Sequence, residues 1–346
     1  MADLSCKYMG LNLRNPIIVG SSGLTSSIEN LRNIDSCGAG AVVLKSIFEE
    51  QIRFETEAFI NSGNPDIASW QKTFSEIVST KEYYYDEAFE YLSGYARDHT
   101  LKHYLDLITK AKNEISIPVI ASINCSSRTD WQFFARRIQE AGADALELNV
   151  YILPSDFTRS SIENETAYKD IIREVLKYVS IPVSLKTGFY FSSLAKTLHE
   201  LSQTGIKGLT LFNRPYNPDI DIDNLQVSAS NIFSNEHEYS HTLRWVALLS
   251  GRLGCNIAAS TGIHNHESVI KQILAGADVV HMASAFYKQH DHFSLIPEMV
   301  RNIDLWMEKH NFRSISDFKG LLSSNKISNP ATFERVQFLR LFSSIE

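Results

Sequence analysis

Along this chain, short runs of consecutive apolar residues alternate with longer stretches whose apolar positions recur at helical spacing. The runs are Pro16–Val19, Ala41–Leu44, Pro118–Ile123, Ala145–Leu148, Pro182–Leu185, Gly208–Phe212, Asn256–Ala259 and Val279–Met282. Being apolar on successive rather than alternate residues, they read as strands buried on both faces, the mark of a parallel sheet. Two kinds of approach to a strand alternate. Runs two, four, six and eight follow a glycine that can stop a helix: Gly38, Gly142, Gly205 and Gly276. Runs one, three and five open on Asn15-Pro16, Ile117-Pro118 and Ile181-Pro182, where a proline at the first strand position removes no ladder hydrogen bond. Eight strand–helix units with paired approaches predict an α/β fold, a closed (β/α)8 TIM barrel rather than an open doubly wound sheet.

Two stretches exceed the minimal unit. Residues of about 47–100 follow the second run and are acidic and aromatic, as in Glu82-Tyr83-Tyr84-Tyr85-Asp86 and Phe89-Glu90-Tyr91. Residues of about 214–240 follow the sixth. Both insertions emerge from the ends of strands and are expected over the C-terminal mouth, where barrel enzymes keep their sites. The first is expected to form a lid. A tail of about 311–346 is expected to pack outside the barrel, and no linker divides 1–346 into more than a single barrel domain.

Composition narrows the function classes. The chain has 346 residues, 44% hydrophobic and 21% charged, which excludes a disordered or fibrous protein. A net charge of −7 is the wrong sign for a nucleic-acid surface. No apolar run reaches the roughly 18 residues of a membrane helix. The opening Met1-Ala2-Asp3-Leu4-Ser5-Cys6-Lys7 has no apolar core of a signal peptide, so a cytoplasmic location is expected. The four cysteines, Cys6, Cys37, Cys125 and Cys255, lack the spacing of a zinc or iron–sulfur site. His264 and His266 read as a polar helix start, and Asp219, Asp221 and Asp223 as a solvated loop, so no metal is expected.

The polar residues that end the runs carry the chemistry. Around the mouth they are Ser21-Ser22, Lys45-Ser46, Asn124, Asn149, Lys186, Asn213, Ser260-Thr261-Gly262 and Ser284. Lys45 and Lys186 each close a buried run, and a cation there bears a desolvation cost unless it meets an anion. Ser260-Thr261-Gly262 and Ala283-Ser284 end runs seven and eight, the usual phosphate site of a barrel. A phosphate on one side and two lysines elsewhere describe an elongated phosphorylated cofactor across the mouth. Flavin mononucleotide (FMN) fits, with a lysine near the edge of the ring that becomes negative on reduction.

Asn15-Pro16 with Ser21-Ser22-Gly23, Ala41-Val42-Val43-Leu44-Lys45-Ser46, Glu147-Leu148-Asn149, Pro182-Val183-Ser184-Leu185-Lys186 and Thr261-Gly262-Ile263 with Ala275-Gly276-Ala277 form an ordered set over roughly residues 5–320. The set resembles the dihydroorotate dehydrogenase family, in its soluble class. The resemblance implies an FMN barrel that oxidises dihydroorotate to orotate in pyrimidine synthesis, without a membrane anchor, and a homodimer. By position, Ser22, Lys45, Ser46, Asn149 and Lys186 match the family's flavin contacts. Thr261-Gly262 and Ala283-Ser284 match its phosphate grip, and Lys45, Asn149 and Asn213 match groups that also meet the substrate.

The departures are specific. The family usually reads Gly-Gly at Thr261-Gly262 and Gly-Thr at Ala283-Ser284. Its asparagine-rich loop after the second strand has no counterpart in 47–100. After Asn149 the family carries its base in a Ser-Cys-Pro-Asn-like run, whereas this chain reads Val150-Tyr151-Ile152-Leu153-Pro154-Ser155-Asp156. The base position falls on Ile152 or Leu153, which accept no proton. Of the neighbours Tyr151, Ser155 and Asp156, Ser155 is the expected catalytic proton acceptor, assisted by Asp156 or a water. Two other functions compete on the same residues: a Schiff-base lyase or aldolase with Lys186 as nucleophile, and a flavin binder of weakened activity.

Overall fold

The computed structural model describes residues 2–48, 100–124, 128–215, 217–229 and 231–334. Nearly all of the expected lid, and the tail beyond 334, lie outside the described residues. Eight parallel strands close into the barrel: β1 Ile17–Val19, β2 Ala41–Val43, β3 Val119–Asn124, β4 Ala145–Val150, β5 Val183–Thr187, β6 Gly208–Leu211, β7 Asn256–Ser260 and β8 Val279–Met282. Each pairs with the next, and β8 returns to β1 through Val280 opposite Ile17 and Met282 opposite Val19. A short strand, Ile47–Phe48, adds to β3 past the end of β2. The eight runs are these strands, agreeing to within two residues at either end.

The two kinds of approach have the expected geometry. Gly38, Gly142, Gly205 and Gly276 have φ of 93°, 94°, 107° and 119°, left-handed values that end one element and turn the chain into the next strand. Pro16, Pro118 and Pro182 donate nothing, yet their carbonyls accept ladder bonds from Val280, Val42 and Leu146. Helices pack around the ring. Ser161–Leu176 begins on a capping box between Ser160 and Glu163, and His266–Ala275 on one between Asn265 and Ser268. Their inward stripes, such as Ile172 and Val175 or Val269 and Ile273, are buried against the strands.

A second, smaller core fills the lower barrel. Ile18, Ala41, Val43, Ile120, Ala145, Ala258 and Val279 meet there. The antiparallel hairpin Cys6–Tyr8 with Leu11–Leu13 closes it from below with Tyr8, Met9 and Leu13. Burying side chains of this size stabilises by about 1.5–3 kcal/mol each. The periodicity of the sequence does not announce this plug, because three-residue strands are too short to have a readable period.

At the outside, Phe312 and Phe318 pack on Trp306 of the helix Leu295–Lys309, and Lys319 pairs with the buried Asp278. After β6 the chain forms an antiparallel hairpin, Pro218–Asp221 with Gln226–Ala229. It then returns to the mouth at 231–238.

Candidate active site

Period-two alternation decides which residues reach the barrel axis. Glu147 and Asn149 on β4 lie opposite Ser184 and Lys186 on β5 in the ladder. At the mouth a chain of polar side chains crosses from strand to strand. The Ser46 backbone N–H donates to Ser21 Oγ (2.9 Å), and Ser46 Oγ lies 2.7 Å from Ser122 Oγ. Asn149 Nδ2 reaches Ser46 Oγ at 3.4 Å, and Asn213 Nδ2 donates to Asn149 Oδ1 at 2.8 Å. Tyr104 fixes the far side by donating to the Ser122 carbonyl and accepting from its N–H. Ends of β1, β2, β3, β4 and β6 are thereby held in one network.

Beside it lies a cleft of about 320 Å³. One end is formed by Ser260-Thr261-Gly262-Ile263 and by Ala283-Ser284. Thr261 and Gly262 are both left-handed, with φ of 77° and 75°. Among the described residues, the backbone N–H groups of Thr261, Gly262, Ile263 and Ala283 have no partner. Successive N–H groups in such a bend form an anion-binding concavity. A Cβ on Gly262 would stand 2.1 Å from the Tyr239 backbone nitrogen, so this position admits glycine alone. Thr261 tolerates its strained backbone while its hydroxyl donates to the Phe212 carbonyl at 3.2 Å. The departures from Gly-Gly and Gly-Thr therefore leave the backbone donors in place.

Lys186 lines the same cleft, and its ammonium has no ion pair among the described residues. Asn213 lines it too. Ser22 Oγ is buried nearby with no hydrogen-bond partner. Lys45 differs. It borders an adjoining depression with Ser26, Ile47, His103 and Tyr104, and Ser46 joins the two spaces through Ser21. The two lysines thus stand on different sides of the mouth.

The run after β4 holds no ready base. Ser155 is exposed, and its hydroxyl has no hydrogen-bond partner among the described residues. Asp156 does not assist it, because its carboxylate accepts from the Thr158 N–H (2.8 Å) and hydroxyl (2.6 Å), which hold its pKa below the usual value. Ile152 donates its N–H to the Tyr168 hydroxyl. Tyr151, two residues past Asn149, packs against Tyr190 and approaches Gly188. Burial raises its phenol, with Tyr190 adding to the effect.

Several site residues escaped the sequence reading. Arg214 follows Asn213 and clamps the returning segment, with Nε 2.9 Å from Glu238 and NH1 on the carbonyls of Asn231 and Ile232. The buried Ser234 donates its N–H to Ser284 Oγ (3.1 Å), meets His264 Nε2 (2.9 Å), and accepts Lys288 at its carbonyl (2.9 Å). Burial, then Lys288, lowers the His264 pKa. His264 thus serves the loop rather than a metal pair with His266. Among the described residues no group of three or more His, Cys, Asp or Glu is arranged around a metal position. Arg214 was within reach of the rule that singled out Lys45 and Lys186, since it too stands just past a buried run.

Comparison with known proteins agrees with this geometry. A sequence profile described as dihydroorotate dehydrogenase matches residues 96–303. A protein of Aeropyrum pernix, provisionally named dihydroorotate dehydrogenase A (fumarate), is 30% identical over 62% of this chain and 70% of its own. The catalytic subunit of a dihydroorotate dehydrogenase B (NAD(+)) from Thermoplasma acidophilum is 25% identical over 93% of this chain and 99% of its own. Its counterpart from Pyrococcus furiosus is 24% identical over 92% and 98%. No helix among the described residues is long and apolar enough to cross a membrane.

Proposed function

The chain belongs to the dihydroorotate dehydrogenase family, and from that premise we propose that it is an FMN-dependent oxidoreductase acting on the CH–CH bond of dihydroorotate or a related dihydropyrimidine. With dihydroorotate the product is orotate, in pyrimidine synthesis. The observation that carries this reading is one cleft with unpartnered backbone N–H groups at Thr261–Ile263 and Ala283 and an unpaired cation, Lys186, in its wall. Those donors suit a phosphate, and an unpaired ammonium suits the edge of a flavin that gains negative charge, so the residues present fit FMN. When bound, FMN supplies the acceptor for the hydride that substrate oxidation releases.

This chain's residues supply the rest. Thr261, Gly262, Ala283 and Ser284 hold the phosphate, while Ser22, Ser46, Asn149 and Lys186 orient the ring. Lys45, Asn149 and Asn213 offer a cation and two amides to a substrate that carries a carboxylate and ring amides. The substrate's second hydrogen leaves as a proton. Ser155 is proposed to relay it to solvent through water, a role its exposure suits better than that of a buried base.

The test is the visible spectrum of protein incubated with FMN and desalted, before and after anaerobic dihydroorotate. A yellow protein that bleaches is expected, and Ser155→Ala slows bleaching by a factor of about 10²–10⁴ if the hydroxyl relays the proton. A colourless protein overturns FMN binding. A yellow protein inert to dihydroorotate overturns that substrate. The relatives' names divide between fumarate and NAD(+), so the reduced protein is offered each in turn to identify its oxidant.

A further inference from the structure

At the floor of the cleft, which Lys186 and His281 line, the barrel carries a buried polar cluster around Glu147 that has no task in the reading above. Glu147 is 1% exposed and His281 4%. Thr210 donates to Glu147 Oε2 at 2.8 Å, and His281 Nδ1 lies 3.7 Å from the same oxygen. Among the described residues, Glu147 Oε1, His281 Nε2, Ser184 Oγ and the Tyr8 hydroxyl are buried without a hydrogen-bond partner. Each such group costs about 1–3 kcal/mol. One layer down, the same barrel is filled with Ile, Val and Ala at no such cost. The titratable groups facing Glu147 are Lys186 from β5, His281 from β8, Tyr8 from the plug and Tyr104 from the helix over 100–114. Burial, with Lys186 adding to it, lowers the His281 pKa to about 3, so the imidazole is neutral. Burial raises both phenols, so they too are neutral. Burial raises the Glu147 pKa, while Lys186 and the Thr210 hydrogen bond oppose the rise. Glu147 is the carboxylic acid of this cluster, and burial on one side and Lys186 with Thr210 on the other act on its charge in opposite directions.

We propose that Glu147 is the charge-compensating residue of the site, taking up one proton when negative charge is added above Lys186. The inference rests on the FMN reading. In the proposed reaction the substrate loses a hydride and a proton. With FMN bound, the hydride would carry two electrons and one negative charge to it; the substrate's proton leaves to solvent by the Ser155 relay, and the Glu147 carboxylate takes up one proton from solvent, so atoms, electrons and charge balance. Glu147 does not line the cleft and acts through the field it shares with Lys186; it is a positioning residue.

The experiment measures the reduction potential of bound FMN anaerobically between about pH 6 and 8, in native protein and in Glu147→Gln. Each proton taken up with two electrons changes the equilibrium constant tenfold per pH unit, about 30 mV. The native slope is expected to exceed that of Glu147→Gln by one such proton. A protonated-carboxyl band is expected in the reduced-minus-oxidised infrared spectrum of the native protein only. Thr210→Val, which keeps the volume and removes the hydrogen bond favouring the ionised carboxylate, should move the break in slope to higher pH. It carries the test alone if Glu147→Gln does not fold. Equal slopes in native and Glu147→Gln, or an unmoved break in Thr210→Val, overturn the inference and leave FMN binding intact. Failure to take up FMN overturns both.

Discussion

The lower and upper halves of the barrel interior are built from the same eight strands, yet they are different materials. The lower half is Ile18, Ala41, Val43, Ile120, Ala145, Ala258 and Val279, sealed by Tyr8, Met9 and Leu13. The upper half is Ser46, Ser122, Glu147, Asn149, Ser184, Lys186, Thr210 and His281, with four polar atoms of this layer and the plug unsatisfied. Moving two residues along one strand, from Ala145 to Glu147 or from Ile120 to Ser122, passes from one half to the other. Dispersion and apolar burial hold the ring shut from below. That stability offsets the cost of a buried carboxylate at the mouth and of the ammonium and N–H groups that have no partner among the described residues.

The contrast is open to direct attack, and the largest effect is expected at the bottom. Ile120→Ala should lower unfolding free energy by about 2–5 kcal/mol in urea titration, with FMN stoichiometry unchanged in the folded fraction. Lys186→Met should do the reverse: FMN affinity falls by about 1.5–3 kcal/mol, or roughly 10–150-fold, the worth of a charge-assisted contact, while the melting temperature holds or rises because no ion pair is lost. Equal destabilisation by both changes would make the polar half a structural layer.

The third effect is in pH. An unfolded His281 gains a proton near pH 6.5, whereas the buried imidazole does so only near pH 3. Between those values the unfolded chain binds more protons, so stability falls as pH drops, by about 1.4 kcal/mol per pH unit. The raised carboxyl pKa of Glu147 works in the opposite direction, since there the folded state holds the extra proton and stability is lost as pH rises. The measure is therefore the difference between native protein and His281→Asn, whose unfolding free energy should fall less on acidification. Parallel curves would mean that the imidazole is hydrated in the fold.

The smallest effect belongs to the Asn213–Asn149 bridge. Asn213→Ala removes one 2.8 Å hydrogen bond, worth about 0.5–1.5 kcal/mol net, and should raise KM for dihydroorotate several-fold with little change in FMN affinity. A matching loss of FMN would mean that the bridge holds the cofactor rather than the substrate.

The strands and the bend of backbone N–H groups at Thr261–Ile263 were legible along the chain because their causes are local. A run such as Ala41-Val42-Val43-Leu44 states its own burial on both faces. A glycine such as Gly276 states where a helix can stop. Thr261-Gly262 marks a left-handed bend because its shape is set by the backbone of consecutive residues. Nothing local states that Glu147, Ser184, Thr210 and His281 share one layer, that Tyr8 rises beneath them, or that Arg214 locks onto Glu238 across the returning segment. These residues are up to 273 positions apart, from Tyr8 to His281, and they meet because ring closure and strand register carry inward-facing positions of different strands to one height. The separation of Lys45 from Lys186 has the same cause. Each lysine ends a buried strand, which periodicity reveals, but which side of the mouth it faces depends on the position of its strand around the ring.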